Sequence, residues 1–189
     1  MEVAPDISYQ QFEYFTRITL QDNPVIFALS INTYVTDDQR AEYERAMAQR
    51  TGNDDFGITE RNADGQLVRA SSRPAYVAVS YIAPLAGNLP AVGYDIHSEP
   101  QRRDALQRAI ASTRTAVTAP LQLVQENRKR VGVLVLHPAY QRRVTGDLTP
   151  ADADLSGFSV GVIKVDEMVD IATRSAQVKG LVFEISDEL

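Results

Sequence analysis

Apolar residues recur at helical spacing near the start of this chain and alternate like strands further on. Phe12, Phe15, Ile18 and Leu20 fall close to a helical period. Thr36-Asp37-Asp38-Gln39 has the form of a capping box opening a helix through Ala41, Tyr43 and Ala46 to Ala48, and Thr51-Gly52-Asn53 closes it. The first fifty residues are therefore read as helical. From Phe56 the period changes. Phe56-Gly57-Ile58-Thr59 and Leu67-Val68 flank Asn62-Ala63-Asp64-Gly65, a hairpin turn whose Asp-Gly pair tolerates positive φ. Residues 76–83, rich in Val and Tyr, predict a third strand, which Pro84 and Gly87-Asn88-Leu89-Pro90 interrupt before 91–94 leads into Asp95.

A helix follows. Ser98 is the expected N-cap, with Glu99 and Pro100 in the first turn, where an acid and a proline both suit a helix start. Leu106, Ala109, Ile110 and Thr113 share one face, while Arg102, Arg103, Gln107 and Arg108 supply the wet sides, so the helix is expected to cover a sheet. Residues 115–124 and 131–137 read as adjacent antiparallel strands joined around Glu126-Asn127. Then come a strand over 158–165, a short helix over 167–175 and a last strand over 178–185. A hairpin, a strand, a connecting helix and an antiparallel pair, with the helix on one face, give the α+β order of a PAS-like unit. The last fifty residues supply part of a second, smaller one.

Composition narrows the class. With 189 residues, 44% of them hydrophobic and 23% charged, the chain can bury a substantial core and is not generally disordered. A net charge of −6 argues against a nucleic-acid surface, and Arg128-Lys129-Arg130 is too short a basic run to make one. The absence of cysteine rules out disulfides, thiolate metal sites and a cysteine nucleophile. No window approaches the roughly 20 consecutive apolar residues of a membrane span. Met1 precedes Glu2-Val3-Ala4-Pro5-Asp6 where a secretion leader needs a positive and then an apolar stretch, so no leader is expected.

Candidate chemistry concentrates on a few residues. Asp95, an acid ending an apolar strand beside Gly93 and Tyr94, can hold a ligand's N–H donor through a charge-assisted hydrogen bond. It can equally cap the following helix or satisfy loop amides. Gly157-Phe158-Ser159-Val160-Gly161 matches the nucleophile-elbow pattern of serine hydrolases, which makes Ser159 the rival, catalytic reading. That chemistry needs a sharp strand-to-helix turn followed by an acid and a histidine, whereas Val160, Val162 and Ile163 continue a strand and both His97 and His137 precede the serine. The histidines lack partners at metal-ligand spacing, so no metal or cofactor is expected. Thr115, Val117, Thr118 and Leu136 on the strand pair, with Val79 and Tyr81 on the third strand, are the expected pocket lining.

Three segments together resemble the signature of CHASE domains, the extracytoplasmic sensory modules of histidine kinases, nucleotide cyclases and related membrane receptors, including plant cytokinin receptors. They are Gly93-Tyr94-Asp95-Ile96-His97-Ser98-Glu99-Pro100 with its helix, the strand Thr118-Ala119-Pro120-Leu121-Gln122-Leu123-Val124, and 132–140 followed by the glycine-bearing strand 157–165. The resemblance implies a helical stalk (1–50), a membrane-distal PAS-like unit (51–137) that holds the ligand and a membrane-proximal one (138–189). It also implies that Asp95 holds the adenine of a purine or cytokinin-like ligand, with Val117 and Leu136 at or near the pocket. The expected function is that of a non-catalytic, periplasmic small-molecule sensor in a bacterial receptor of the histidine kinase or diguanylate cyclase/phosphodiesterase type. Such a receptor is expected to be a homodimer, attached to the membrane through flanking segments outside this sequence. A ligand-free structural spacer is the other alternative to the hydrolase.

Overall fold

A computed structural model describes residues 7–122, 131–142 and 153–174. The chain order is α1 (Tyr9–Asp22), β1 (Ile26–Thr36), α2 (Arg40–Thr51), the hairpin β2 (Thr59–Arg61) and β3 (Leu67–Arg69), then β4 (Ala75–Ala83). There follow α3 (Pro100–Ser112), β5 (Ala116–Val117), β6 (Leu121–Gln122), β7 (Val131–Arg142), β8 (Ala153–Lys164) and α4 (Val165–Arg174). Among the described residues this is mixed helix and antiparallel sheet, the α+β class expected. The strand expected over 178–185 lies outside them.

Local chemistry accounts for the helix limits. Ser8 and Gln11 form a reciprocal capping box at the start of α1. Asn23, which precedes Pro24, leaves helical geometry with φ −127° and ψ 78°, as the proline ring requires of its predecessor. The expected capping box of Thr36 and Gln39 is present and opens a short 3-10 turn, Asp37–Gln39, that runs into α2. Gly52, with φ +66°, closes α2 in the left-handed region that glycine favours. The cap of α3 is Glu99 rather than Ser98: its carboxylate accepts from the amides of Gln101 and Arg102. Arg102, expected on the wet side of α3, is 4% exposed, while Ile110, expected against the sheet, is largely exposed.

The helical reading of the first fifty residues fails at 26–36, which form β1. Once Pro24 has stopped α1, the β-branched residues Ile26, Ile31, Thr33, Val35 and Thr36 favour extended backbone, and the segment gains partners on both edges. The main sheet runs β4-β1-β8-β7-β5, with β6 also paired to β7, and every pairing is antiparallel. β7 continues through residues 137 and 138, and β8 lies between β1 and β7. Strands from both expected PAS-like units therefore share one sheet.

Both faces of the sheet are covered: the 88–98 segment and α3 lie on one, with α3 over β7, and α1 and α2 lie over the β4–β1 end on the other. On one face Val77, Val79, Leu134, Leu136, Phe158, Val160 and Val162 pack against Tyr94, Ile96 and the buried side of α3. On the other, Tyr43 and Met47 of α2 meet Val35, Tyr76 and Ala78, and Phe12 of α1 meets Tyr81 and Ala83. A bulge in β4 distributes these contacts. Ile31 pairs with Tyr81 and Asn32 with Val79, so Ser80 is an extra residue. As a result Val79 and Tyr81, which strict alternation puts on one face, join opposite cores.

The Gly-x-Ser-x-Gly match has a packing explanation. A Cβ added at Gly157 would stand 2.2 Å from the backbone oxygen of Asn32, where β8 crosses β1. Gly157→Ala is expected to destabilise the fold by about 1–3 kcal/mol through this overlap. A lowered denaturant midpoint at unchanged slope checks it, and a wild-type midpoint would contradict the close crossing.

Candidate functional site

Asp95 is fully buried, and its carboxylate is engaged within the protein. Oδ1 accepts from the Val77 amide at 2.8 Å and the His97 amide at 3.0 Å, and Oδ2 accepts from Arg73 at 3.0 Å. Its own carbonyl accepts from the Ser98 hydroxyl, which ties the 3-10 turn Ile96–Ser98 to the loop. Arg73 also donates to Glu60 on β2. Burial pushes the carboxyl above its ordinary value, while the Val77 and His97 amides, then Arg73 and Arg40, pull it back. Burial likewise lowers the His97 imidazole, helped by Arg103 and Arg73.

The other predicted residues part company. Val79 lines a small interior cavity between the sheet and its cover, and Leu136 is fully buried in the same core. Tyr81 sits on the opposite face, its ring 5.7 Å from that of Phe12. Thr118 fastens β7: its amide donates to the Leu134 carbonyl at 3.0 Å, and its hydroxyl accepts from the Leu134 amide at 2.9 Å. Thr115 and Val117, expected to face a pocket, point outward, with Val117 45% exposed. Ala116 between them takes the inward position, as alternation requires.

The cavity, about 30 Å³, has a polar end that sequence reasoning missed. Ser30 and Asn32, two apart on β1, point into it beside Val79, Tyr94, Arg102 and Leu134. The Ser30 hydroxyl donates to Asn32 Oδ1 at 2.8 Å, which leaves Asn32 Nδ2 buried without a hydrogen-bond partner on a residue 1% exposed. Arg102 closes the cavity's outer side, donating to the Tyr94 hydroxyl at 3.0 Å with its guanidinium 5.3 Å from the Tyr94 ring centroid. Beyond that pair lies a surface groove of about 470 Å³ between the β2–β3 turn and the start of α3. Asn32 was missed because its strand was read as helix. The alternation of Leu29 and Ile31 with Ser30 and Asn32, shortly after a Pro-stopped helix, is the signal that could have found it.

Ser159 lies mid-strand on the outer part of the sheet, exposed and opposite His137, whose Nδ1 is 3.0 Å from the Thr115 hydroxyl. β8 is paired to β1 and β7 on its two edges. Its amides are thus held in ladders instead of being gathered at a turn that could stabilise an oxyanion. Among the described residues no group of three or more His, Cys, Asp or Glu side chains could hold a metal ion, and no helix is long and apolar enough to cross a membrane.

The described residues build a covered antiparallel sheet with an internal cavity and an acid-anchored loop before α3. The CHASE domain model matches residues 5–189. The chain belongs to the CHASE domain family. CHASE domains are extracytoplasmic sensory domains of receptors and are not themselves catalytic. No curated protein matches the chain. In this CHASE domain the aspartate of the signature segment fixes the loop whose neighbouring residues, Tyr94 and Ile96, wall the cavity.

Removing Arg73 strands the Asp95 charge in the interior. Arg73→Ala is expected to cost about 3 kcal/mol at neutral pH. Without Arg73 the folded-state value of Asp95 rises further, so the penalty is full above that value and shrinks as pH falls from it to the wild type's own raised value, below which the acid is protonated in both folded proteins. Denaturant midpoints of variant and wild type across that range check it; a penalty independent of pH would remove Asp95 as its source.

Proposed function

We propose that this chain is the periplasmic sensory domain of a bacterial transmembrane receptor of the histidine kinase or diguanylate cyclase/phosphodiesterase type. It binds a small molecule between the sheet and the cover formed by the 88–98 segment and α3. Here α1 belongs to the helical stalk, the β4–β1 end of the sheet with its covering helices is the distal PAS-like unit, and the chain after β8 contributes to a proximal one. The membrane is reached through flanking segments, and the receptor works as a homodimer.

The observation that carries this reading is that β4 serves the cavity and α1 at once. Val79 and Ile82 line the cavity, while Tyr81 between them packs on Phe12. The Ile82 carbonyl accepts from the Tyr9 hydroxyl at 3.2 Å, and the Tyr81 hydroxyl donates to the Ile7 carbonyl. A ligand that favours one arrangement of β4 thereby favours one seating of α1, and only such differential affinity shifts a signalling equilibrium. Asp95 supports the cavity wall in this reading; a purine held directly by its carboxylate would have to reach a fully buried group beside Arg73.

Hydrogen exchange on protein purified from periplasmic expression, before and after exhaustive unfolding and refolding to strip bound small molecules, tests the coupling. The expected result is faster exchange in α1 of the stripped protein and a smaller difference in Tyr81→Leu. Identical exchange in both preparations, with a small molecule demonstrably removed, would sink the coupling. A serine-reactive fluorophosphonate is expected to leave Ser159 unlabelled; stoichiometric labelling would restore the hydrolase reading.

A further inference from the structure

We propose that the polar end of the interior cavity receives the carboxylate of a small organic acid, with Asn32 Nδ2 donating to it and Arg102 balancing its charge. This rests on the sensor reading and deepens it. Ser30 holds the Asn32 amide with its oxygen turned away, so the unpartnered donor faces the cavity. Burying a polar group without a partner is costly, and the group that repairs Nδ2 must carry an acceptor. The Arg102 guanidinium in the same wall, whose Nε lies 3.9 Å from the Glu99 carboxylate, still favours an anionic acceptor on its cavity side, because opposite charges attract strongly where water is excluded.

Size restricts the ligand further. The space beside Asn32, about 30 Å³, exceeds the ~10–15 Å³ that a single water-sized group needs, but not by much. It takes a head group and no more. The groove outside, about 470 Å³, shares Tyr94 and Arg102 with the cavity and adds Arg61 and Glu99, so it has room for the remainder of the molecule, with a cation and an acid to orient it. The Arg102–Tyr94 pair forms the partition between them, and a swing of the Arg102 side chain joins the two spaces.

Thermal unfolding of the intact chain with a panel of mono- and dicarboxylates at millimolar concentration, each beside its primary amide and amine and at matched ionic strength, tests this. The expected result is that at least one acid raises Tm and its amide does not. Asn32→Leu, which removes an unpartnered amide, is expected to keep or raise the ligand-free Tm while weakening that acid about tenfold or more. Arg102→Gln is expected to weaken the acid far more than the amide, and serves if Asn32→Leu does not fold. Failure of every acid to raise Tm overturns the proposal, as does undiminished acid binding in Asn32→Leu. An amine or neutral compound that stabilises wild type and Asn32→Leu equally leaves the sensor reading standing and overturns this assignment. A lone water between Asn32 and Arg102 in crystals soaked with the acids overturns it as well.

Discussion

The buried carboxylate of Asp95 is the constraint on which much of the distal architecture depends. β4 is the last strand of the sheet, and an unpaired edge with both faces buried would leave backbone donors without partners. The chain returns over 93–95 to take that edge: Val79 donates to the Tyr94 carbonyl, Gly93 to the Val79 carbonyl, and the Val77 amide to the Asp95 side chain. The same loop bonds Thr59 at the start of β2 on its other side. Gly93 permits this path with φ +85°, where a Cβ would press on the Gly57 carbonyl and the Phe56 ring. One acid thus joins the sheet edge, the hairpin through Arg73 and Glu60, and the turn leading into α3.

An ionised group fully removed from water costs several kcal/mol unless donors surround it. Asp95 has two amides and a guanidinium, which keep the cost tolerable without abolishing it, as its upward-shifted acidity shows. This places a ligand-binding role for the acid in competition with its structural one. A ligand donor reaching Asp95 has to enter a fully buried site whose bonds hold the β4 edge and the hairpin. By contrast, Asn32 has a donor with nothing to displace. The chemistry open to a newcomer lies one strand further into the sheet than the signature acid.

Much of the fold is legible in the sequence where a residue's own stereochemistry decides. Pro24, the Thr36–Gln39 box, Gly52 and the Asp64-Gly65 turn mark boundaries that the structure keeps. β4 is equally legible, being a run of Val, Tyr and Ala too short for a buried helix. β1 was not, because it lies between two segments with good helix signals and its alternation is blurred by Phe27, where the pairing with β8 shifts register. The site inherited that error, since its polar end is on β1. Val79 faces the cavity and Leu136 lies in the same core, whereas Tyr81 faces the other side for one reason: an extra residue in a strand leaves no mark in a period-two pattern.

The bulge that defeats alternation also lets β4 serve two cores at once. In a regular strand, residues two apart look the same way, and a push on one face is shared along that face. Here three consecutive positions, Ser80, Tyr81 and Ile82, face the α2 side, the α1 side and the cavity in turn. Ser80 sits between the hydroxyls of Tyr43 at 2.9 Å and Thr33 at 2.6 Å, so its place in the bulge is held by bonds to α2 and β1. Closing the bulge would break both bonds and rotate Tyr81 out of its contact with Phe12. A ligand that displaced Ile82 would therefore have to work against the bonds at Ser80 before it moved Tyr81.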